Sequence, residues 1–120
     1  MPARHVLFVL RHAPYDGAAA WEALDAMLVT GVFDQQVSAL FLDDAVWQLL
    51  PDQQADRIGR RNVGKALTAL PDYGIEQLFV SSSALAQRGI DAKGLAVPVT
   101  LVSETEAASL IQRQDVVLSG

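Results

Sequence analysis

Short apolar runs alternate along this chain with longer segments whose apolar residues recur at helical spacing. The short runs are typical of buried strands and lie at 6–10, 36–42, 75–80, 97–102 and 116–118. Predicted helices lie between them at 18–30, 45–50, 58–70, 85–88 and 104–112. Such alternation predicts right-handed crossovers and a parallel sheet that is covered on both faces. We therefore expect one domain over residues 1–120, an α/β flavodoxin-like three-layer sandwich with a five-stranded, mainly parallel sheet in the order 2-1-3-4-5.

Residues at the element ends refine this picture. Gly31 follows the first helical pattern and predicts its end. Asp43 and Asp44 follow the second strand and predict a cap for the next short helix. Ser103, with Glu106 three residues later, predicts a capping box at the start of the last helix. The aspartates and the Ser103 signal fit strands that lead into helices, and Gly31 fits a helix that leads into the next strand.

Composition narrows the possible classes of protein. Hydrophobic residues make up 51% of the chain and charged residues 19%, more apolar than a small monomer needs. The excess indicates either a subunit interface or a parallel sheet buried on both faces. The net charge of −5 argues against direct nucleic-acid binding, because phosphate contacts need clustered Lys and Arg. No apolar run is long enough to cross a membrane and the chain opens into a strand, so we expect a cytoplasmic location.

The chain contains no cysteine and two histidines. This excludes disulfides, thiolate metal sites and any thiol chemistry of its own, and it makes metal binding improbable. The loop after the third strand is also poor in glycine, so it lacks a phosphate-binding or dinucleotide-binding fingerprint. We therefore expect no metal and no cofactor.

In the predicted sheet, the crevice lies beyond the carboxyl ends of the first and third strands. After the first strand, Arg11, His12 and Asp16 could bind an anion or move a proton, or could only make turn and cap hydrogen bonds. After the third strand come Ser81 and Ser82, in a short helix that Gly89 should close. The surroundings lack nucleophile-elbow glycines and a downstream histidine, so we expect these serines to cap a helix rather than attack a substrate.

Two further features have alternative interpretations. Four of the nine basic residues fall within nine positions, and they form either a docking stripe for an acidic partner or a solvated helix face: Arg57, Arg60, Arg61 and Lys65. Trp47, in the short helix after the second strand, is either a core aromatic residue or an interface anchor.

Several stretches together resemble one family. They include 22–28, 42–51, 73–77 and 115–118, and the most specific are Val-x-Gln-Leu-Leu-Pro at 46–51 and Gly-Ile-Glu-Gln at 74–77. The chain is similar over essentially its whole length to the TusC-like and DsrF-like subunits of the DsrE/DsrF-like sulfur relay family. The resemblance implies a DsrE/F-like fold and a dimer of heterotrimers with TusB-like and TusD-like paralogues. It also implies indirect cooperation with TusA-like and TusE-like sulfur carriers.

In that family, sulfur travels as a cysteine persulfide, and the cysteine of the TusD-like paralogue aligns with Ser81 here. Some TusC-like chains also carry cysteine at this position, so this sequence departs from them. A serine hydroxyl neither ionises usefully nor forms a persulfide. The resemblance therefore implies a non-catalytic structural subunit of a TusBCD-like complex that passes sulfur toward 2-thiolation of the tRNA wobble uridine.

Three alternatives stay open at this point. The first is a DsrF-like subunit of a dissimilatory sulfur oxidation complex, because the sequence does not separate that role from tRNA thiolation. The second is a small anion-binding module or enzyme that uses Arg11, His12 and Asp16. The third is a homo-oligomeric interaction protein without a sulfur role.

Overall fold

The computed structural model describes residues 4–13, 19–32, 36–50, 67–75 and 77–119. The strands are β1 (His5–Leu10), β2 (Gln36–Phe41), β3 (Gln77–Ser81), β4 (Thr100–Val102) and β5 (Val116–Ser119). The α-helices are α1 (Ala19–Val32), α2 (Ser82–Gln87) and α3 (Glu104–Gln112). Short 3₁₀ helices span Asp43–Leu49, Leu70–Tyr73 and Ala92–Gly94.

All four pairings within the five-stranded sheet are parallel, which confirms the predicted α/β class. The spatial order is β4-β3-β2-β1-β5, so the predicted order 2-1-3-4-5 is wrong. The chain advances strand by strand in one direction from β1 to β4 and then returns to place β5 on the other side of β1. The point where the order reverses therefore lies between β1 and β5, not between β1 and β3.

The handedness of the crossovers explains the layers on each side of the sheet. Successive right-handed steps from β1 to β4 place α1, the 3₁₀ helix Asp43–Leu49 and α2 on one face. The step from β4 to β5 runs the opposite way, so α3 lies on the other face, where Ala107 and Leu110 pack against Leu7 and Leu40. Successive β1 side chains point to opposite faces of the sheet. Phe8 lies in the core on the α1 face, and Leu7 lies in the core on the α3 face.

Local packing changes several predicted boundaries. Gly31 does not end α1, which continues through Val32. Gly31 packs beside Ile75, and an added Cβ would lie 3.4 Å from Ile75 Cδ1, an ordinary van der Waals contact. The predicted fourth strand begins only at Thr100, because Pro98 has no N–H for strand pairing.

Two helix ends follow the predicted chemistry. Ser103 Oγ accepts a hydrogen bond from Glu106 N, and Glu106 Oε1 accepts one from Ser103 N, which confirms the capping box. Gly89 follows Arg88, the C-cap of α2, and has φ of +65°, a conformation that glycine adopts without the steric cost of a Cβ. The predicted helix 58–70 lies mostly outside the described residues; of its apolar face, Leu67 and Leu70 are described, and both are buried.

Across the ranges that the structure describes, no helix combines the length and apolar character that crossing a membrane requires.

Candidate functional site

Ser81 is the last residue of β3 and also the residue that caps α2. Its backbone is extended, and its Oγ accepts a hydrogen bond from Ala84 N at 3.1 Å. The same Oγ lies 3.1 Å from Ser83 Oγ, and Ser81 is only 7% exposed. A serine in this geometry satisfies one of the free amides at the helix start. The predicted capping role of Ser81 is therefore confirmed.

Ser82 follows on the exposed side of the strand end. Its Oγ donates a hydrogen bond to the carbonyl oxygen of Val102 at 3.2 Å. Val102 lies beside Ser81 in the β3–β4 register, so this bond ties the start of α2 to the end of β4. The serine segment is thus held by three hydroxyl contacts, made by Ser81, Ser82 and Ser83, which fix the turn from strand to helix.

The residues after β1 are held in a different way. Arg11 lies with its NH1 atom 3.6 Å from Asp43 Oδ2, and both side chains are more than half exposed. The backbone carbonyl of His12 accepts a hydrogen bond from Gln48 Nε2 at 2.9 Å. Gln48 is 2% exposed, so this bond gives a buried side-chain amide a hydrogen-bond acceptor. Asp16 lies outside the described residues.

The structure does not bring the two predicted segments together as neighbours. Since β2 lies between β1 and β3, two strand spacings of about 4.8 Å each separate the strand ends. The prediction of a crevice directly between Arg11 and Ser81 is therefore wrong. The functional roles of these two residues stay predictions. The 3₁₀ helix Asp43–Leu49 after β2 lies between the two segments and contacts both.

This 3₁₀ helix also corrects the prediction for its two aspartates. Its N-cap is Leu42, with no side-chain cap bond, so Asp43 and Asp44 do not cap it. Asp43 has φ of +50°, a left-handed conformation that Asp tolerates better than most residues. Both carboxylates instead face arginines, Asp43 toward Arg11 and Asp44 toward Arg88.

Arg88 was not identified from the sequence, although it makes the more extensive of these two arginine contacts. Its Nε and NH2 atoms donate to Asp44 Oδ1 at 3.1 and 2.9 Å. Its NH1 atom donates to the carbonyl of Ala84 at 3.2 Å, one turn earlier in the chain. Asp43 and Asp44, two adjacent carboxylates after β2, were the feature of the sequence that could have indicated an arginine partner. Carboxylates form charge-assisted hydrogen bonds with arginine.

A cavity of about 420 Å³ lies at the actual switch point, between β1 and β5. Phe8 and Leu118 line it from the sheet, and Glu22 lines it from α1. His12 also lines this cavity, so the structure groups it with β5 rather than with the serines. Among the described residues, no cluster of three or more His, Asp or Glu side chains is arranged to hold a metal ion.

Electrostatics at the start of α3 follow from the capping box. The backbone N–H of Ser103, then its hydroxyl, lower the pKa of Glu106 from its ordinary value of 4.5. Both hydrogen bonds favour the charged carboxylate. The start of α3 follows β4 closely in the chain, and Val102 at the end of β4 accepts the hydrogen bond from Ser82.

The two other sequence features have different outcomes. Trp47 is half-buried, on the 3₁₀ helix Asp43–Leu49, while its neighbours Val46 and Leu49 are fully buried in the core. The choice between core and interface for Trp47 therefore stays a prediction. The basic cluster of Arg57, Arg60, Arg61 and Lys65 lies outside the described residues.

Two solved structures share this architecture. The ychN protein from E. coli superimposes with a TM-score of 0.84 at 20% identity, covering 98% of this chain and 99% of that one. A protein of unknown function from Methanobacterium thermoautotrophicum gives a TM-score of 0.69 at 14% identity, with the same coverage. At these identities the likeness concerns the fold alone.

Sequence relatives are closer. The chain is 36% identical over 117 residues to a Protein TusC homolog of Pseudomonas aeruginosa, covering 98% of each. It is 31% identical over 112 residues to a Protein TusC homolog of Vibrio parahaemolyticus, covering 93% of this chain and 95% of the relative. It is 39% identical over 84 residues to the Intracellular sulfur oxidation protein DsrF of Allochromatium vinosum, covering 70% of this chain and 62% of DsrF. The DsrE/DsrF-like family profile matches residues 4–119, and the chain belongs to this family.

Proposed function

We propose that this protein is a non-catalytic structural subunit of a TusBCD-like sulfur relay complex. The observation that carries the proposal is the state of Ser81. In a chain without cysteine, this residue uses its hydroxyl to cap α2 at the strand end where the resemblance places a paralogue's sulfur-carrying cysteine. The full-length similarity to TusC homologues supports the same role.

The chemistry of sulfur relay explains why this observation matters. An acceptor thiolate attacks the outer sulfur of a donor cysteine persulfide, a new S–S bond forms, and the donor sulfur leaves as a thiolate. The acceptor must therefore be a thiolate, which helix N-terminal amides stabilise. The Ser81 hydroxyl carries no sulfur, so this residue cannot be the acceptor. The sulfur carrier must be a cysteine on another subunit.

The proposed partners are TusB-like and TusD-like paralogues in a dimer of heterotrimers. TusA-like and TusE-like carriers would deliver and remove sulfur through the partner's cysteine, and the relay would end in 2-thiolation of the tRNA wobble uridine in the cytoplasm. The net charge of −5 supports an arrangement in which this chain does not grip the tRNA itself.

A DsrF-like role in sulfur oxidation is the second candidate. The 39% identity to DsrF over 84 residues favours it directly. Both roles require the same kind of subunit, one that completes an assembly while a partner carries the sulfur. The identity of the partners therefore separates the two roles.

The anion-binding alternative has less support. Arg11 faces Asp43, which reduces the positive potential available to an anion. Saturable anion binding that is lost in Arg11→Ala would revive this alternative.

Co-expression tests the proposal. The chain is tagged and produced with candidate TusB-like and TusD-like partners, and the complex is measured by size-exclusion chromatography with light scattering. Equal stoichiometry of the three chains supports a structural subunit. A chain that forms a complete assembly alone, or that never co-purifies with either partner, contradicts the proposal.

A further inference from the structure

The outer edge of β4 has features that suit an extended peptide. Among the described residues, β4 pairs only with β3, and no described segment pairs with the backbone groups of its other edge. Leu101, in the middle of β4, is 47% exposed. An exposed apolar residue on an unpaired edge is a common starting point for strand addition.

A cavity lies on each face of this edge. On the face shared by Leu101 and Val80, a cavity of about 560 Å³ is bounded by the segment 92–99 and lined by Leu95, Val97 and Val99. On the opposite face, a cavity of about 460 Å³ lies between α3 and the pair Phe79 and Val102. Successive side chains of a strand point to opposite faces of a sheet, so an added strand would place alternate side chains in the two cavities.

Charge indicates what the second cavity would accept. Glu106 and Arg113 line it from α3 and lie seven positions apart, about 10 Å along the helix. The Glu106 carboxylate already accepts the Ser103 N–H. Arg113 uses its Nε atom to contact the Ser109 carbonyl at 3.3 Å and is exposed at the other end of α3. A carboxylate on the added strand therefore fits the Arg113 end of this cavity.

We infer that the β4 edge is a docking site for an extended acidic segment of a partner protein, with an apolar side chain beside Leu101 and a carboxylate beside Arg113. Because β4 is three residues long, it offers few backbone hydrogen bonds, and the two cavities must supply most of the affinity. This inference goes beyond the proposed function, because it concerns binding by the chain alone and needs no sulfur transfer.

The test uses a fluorescein-labelled peptide of about eight residues in which valine alternates with glutamate, a length that spans a short strand. Fluorescence anisotropy measures its binding to the full chain. Leu101→Glu and Arg113→Gln should each weaken binding by about tenfold, as expected for the loss of one anchoring contact. The matched control is Val117→Glu, which places the same charge on the 40% exposed Val117 of the other edge strand and should leave binding unchanged.

Amide NMR shifts locate the bound peptide independently of the variants. Shifts centred on Thr100 to Val102, together with slower hydrogen exchange there, support the inference. A peptide with lysine in place of glutamate should bind more weakly. The inference is overturned if the valine–glutamate peptide does not bind at millimolar concentration, if its shifts map to β5, or if the edge instead pairs with a second copy in a dimer that Leu101→Glu abolishes.

Discussion

The end of β3 and the end of β1 both carry polar residues, but the structure uses them differently. At the β3 end, the hydroxyls of Ser81 and Ser82 make short-range bonds to α2 and to the neighbouring strand. At the β1 end, the described contacts are longer in range and involve an exposed ion pair and the buried Gln48. A polar strand end is therefore not by itself a reactive site. One end is fixed by local capping, and the other is fixed by a segment that follows a different strand.

The largest expected loss of stability comes from removing the Gln48 contact at the β1 end. Gln48→Ala removes a buried side chain together with its hydrogen bond to the His12 carbonyl, and should lower the free energy of unfolding by about 2 kcal/mol. Urea unfolding followed by circular dichroism measures it. The control is Gln87→Ala, which removes the same side chain from an exposed position in α2 and should change stability by less than about 0.5 kcal/mol. Equal losses in the two variants would show that the Gln48 contact does not hold this end.

Ser81→Ala tests the capping role at the β3 end. Losing the bond to Ala84 N should lower the free energy of unfolding by about 1 kcal/mol, the usual effect of removing an N-cap. Ser81→Gly should cost only a few tenths of a kcal/mol, because glycine is tolerated at this position. Thermal unfolding of both variants gives the comparison. A Ser81→Ala protein as stable as the unaltered chain would contradict the capping role.

Arg88 and Arg11 each contact an aspartate of the 3₁₀ helix Asp43–Leu49, and their contributions to stability should differ. Arg88→Ala should destabilise the protein by somewhat under 1 kcal/mol, because Arg88 is largely covered and makes several charge-assisted bonds. Arg11→Ala should cost less than about 0.5 kcal/mol, because its ion pair with Asp43 is longer and exposed. Double-mutant cycles with Asp44→Ala and Asp43→Ala measure the two couplings. A larger coupling for Arg11 would reverse the ranking.

The smallest effect concerns Glu106, whose pKa the Ser103 backbone and hydroxyl lower. A lowered pKa in the folded state means that the contribution to stability is present above the unfolded pKa and is lost as the pH falls through the folded pKa. NMR titration of the Glu106 side chain should therefore give a pKa below 4.5. Ser103→Ala should raise that pKa only in part, since the backbone donor remains. A Glu106 pKa of 4.5 in Ser103→Ala would show that the hydroxyl alone lowers the pKa.

The sequence predicted features that depend on nearby residues. The apolar runs located all five strands, although β1, β2 and most of β3 are buried while β4 and β5 are largely exposed. Ser103 with Glu106 identified the start of α3. The strand order was wrong, because periodicity indicates which face of a strand is buried but not which strand lies beside it. For the same reason the Arg88–Asp44 contact, 44 positions apart in the chain, was not predicted. At the site, the cap made by Ser81 was predictable, whereas the Gln48 contact with His12 was not.

A thiolation assay on the assembled complex tests directly whether Ser81 takes part in sulfur transfer. The chain carrying Ser81→Ala is produced with the proposed TusB-like and TusD-like partners, its assembly is verified, and 2-thiouridine in tRNA is quantified by mass spectrometry against a strain that lacks the chain. A non-catalytic subunit predicts that Ser81→Ala keeps thiolation within about twofold of the unaltered protein, a change too small for the loss of a reacting group, while deletion strongly reduces it. An assembled Ser81→Ala complex with thiolation as low as in the deletion strain would contradict the account.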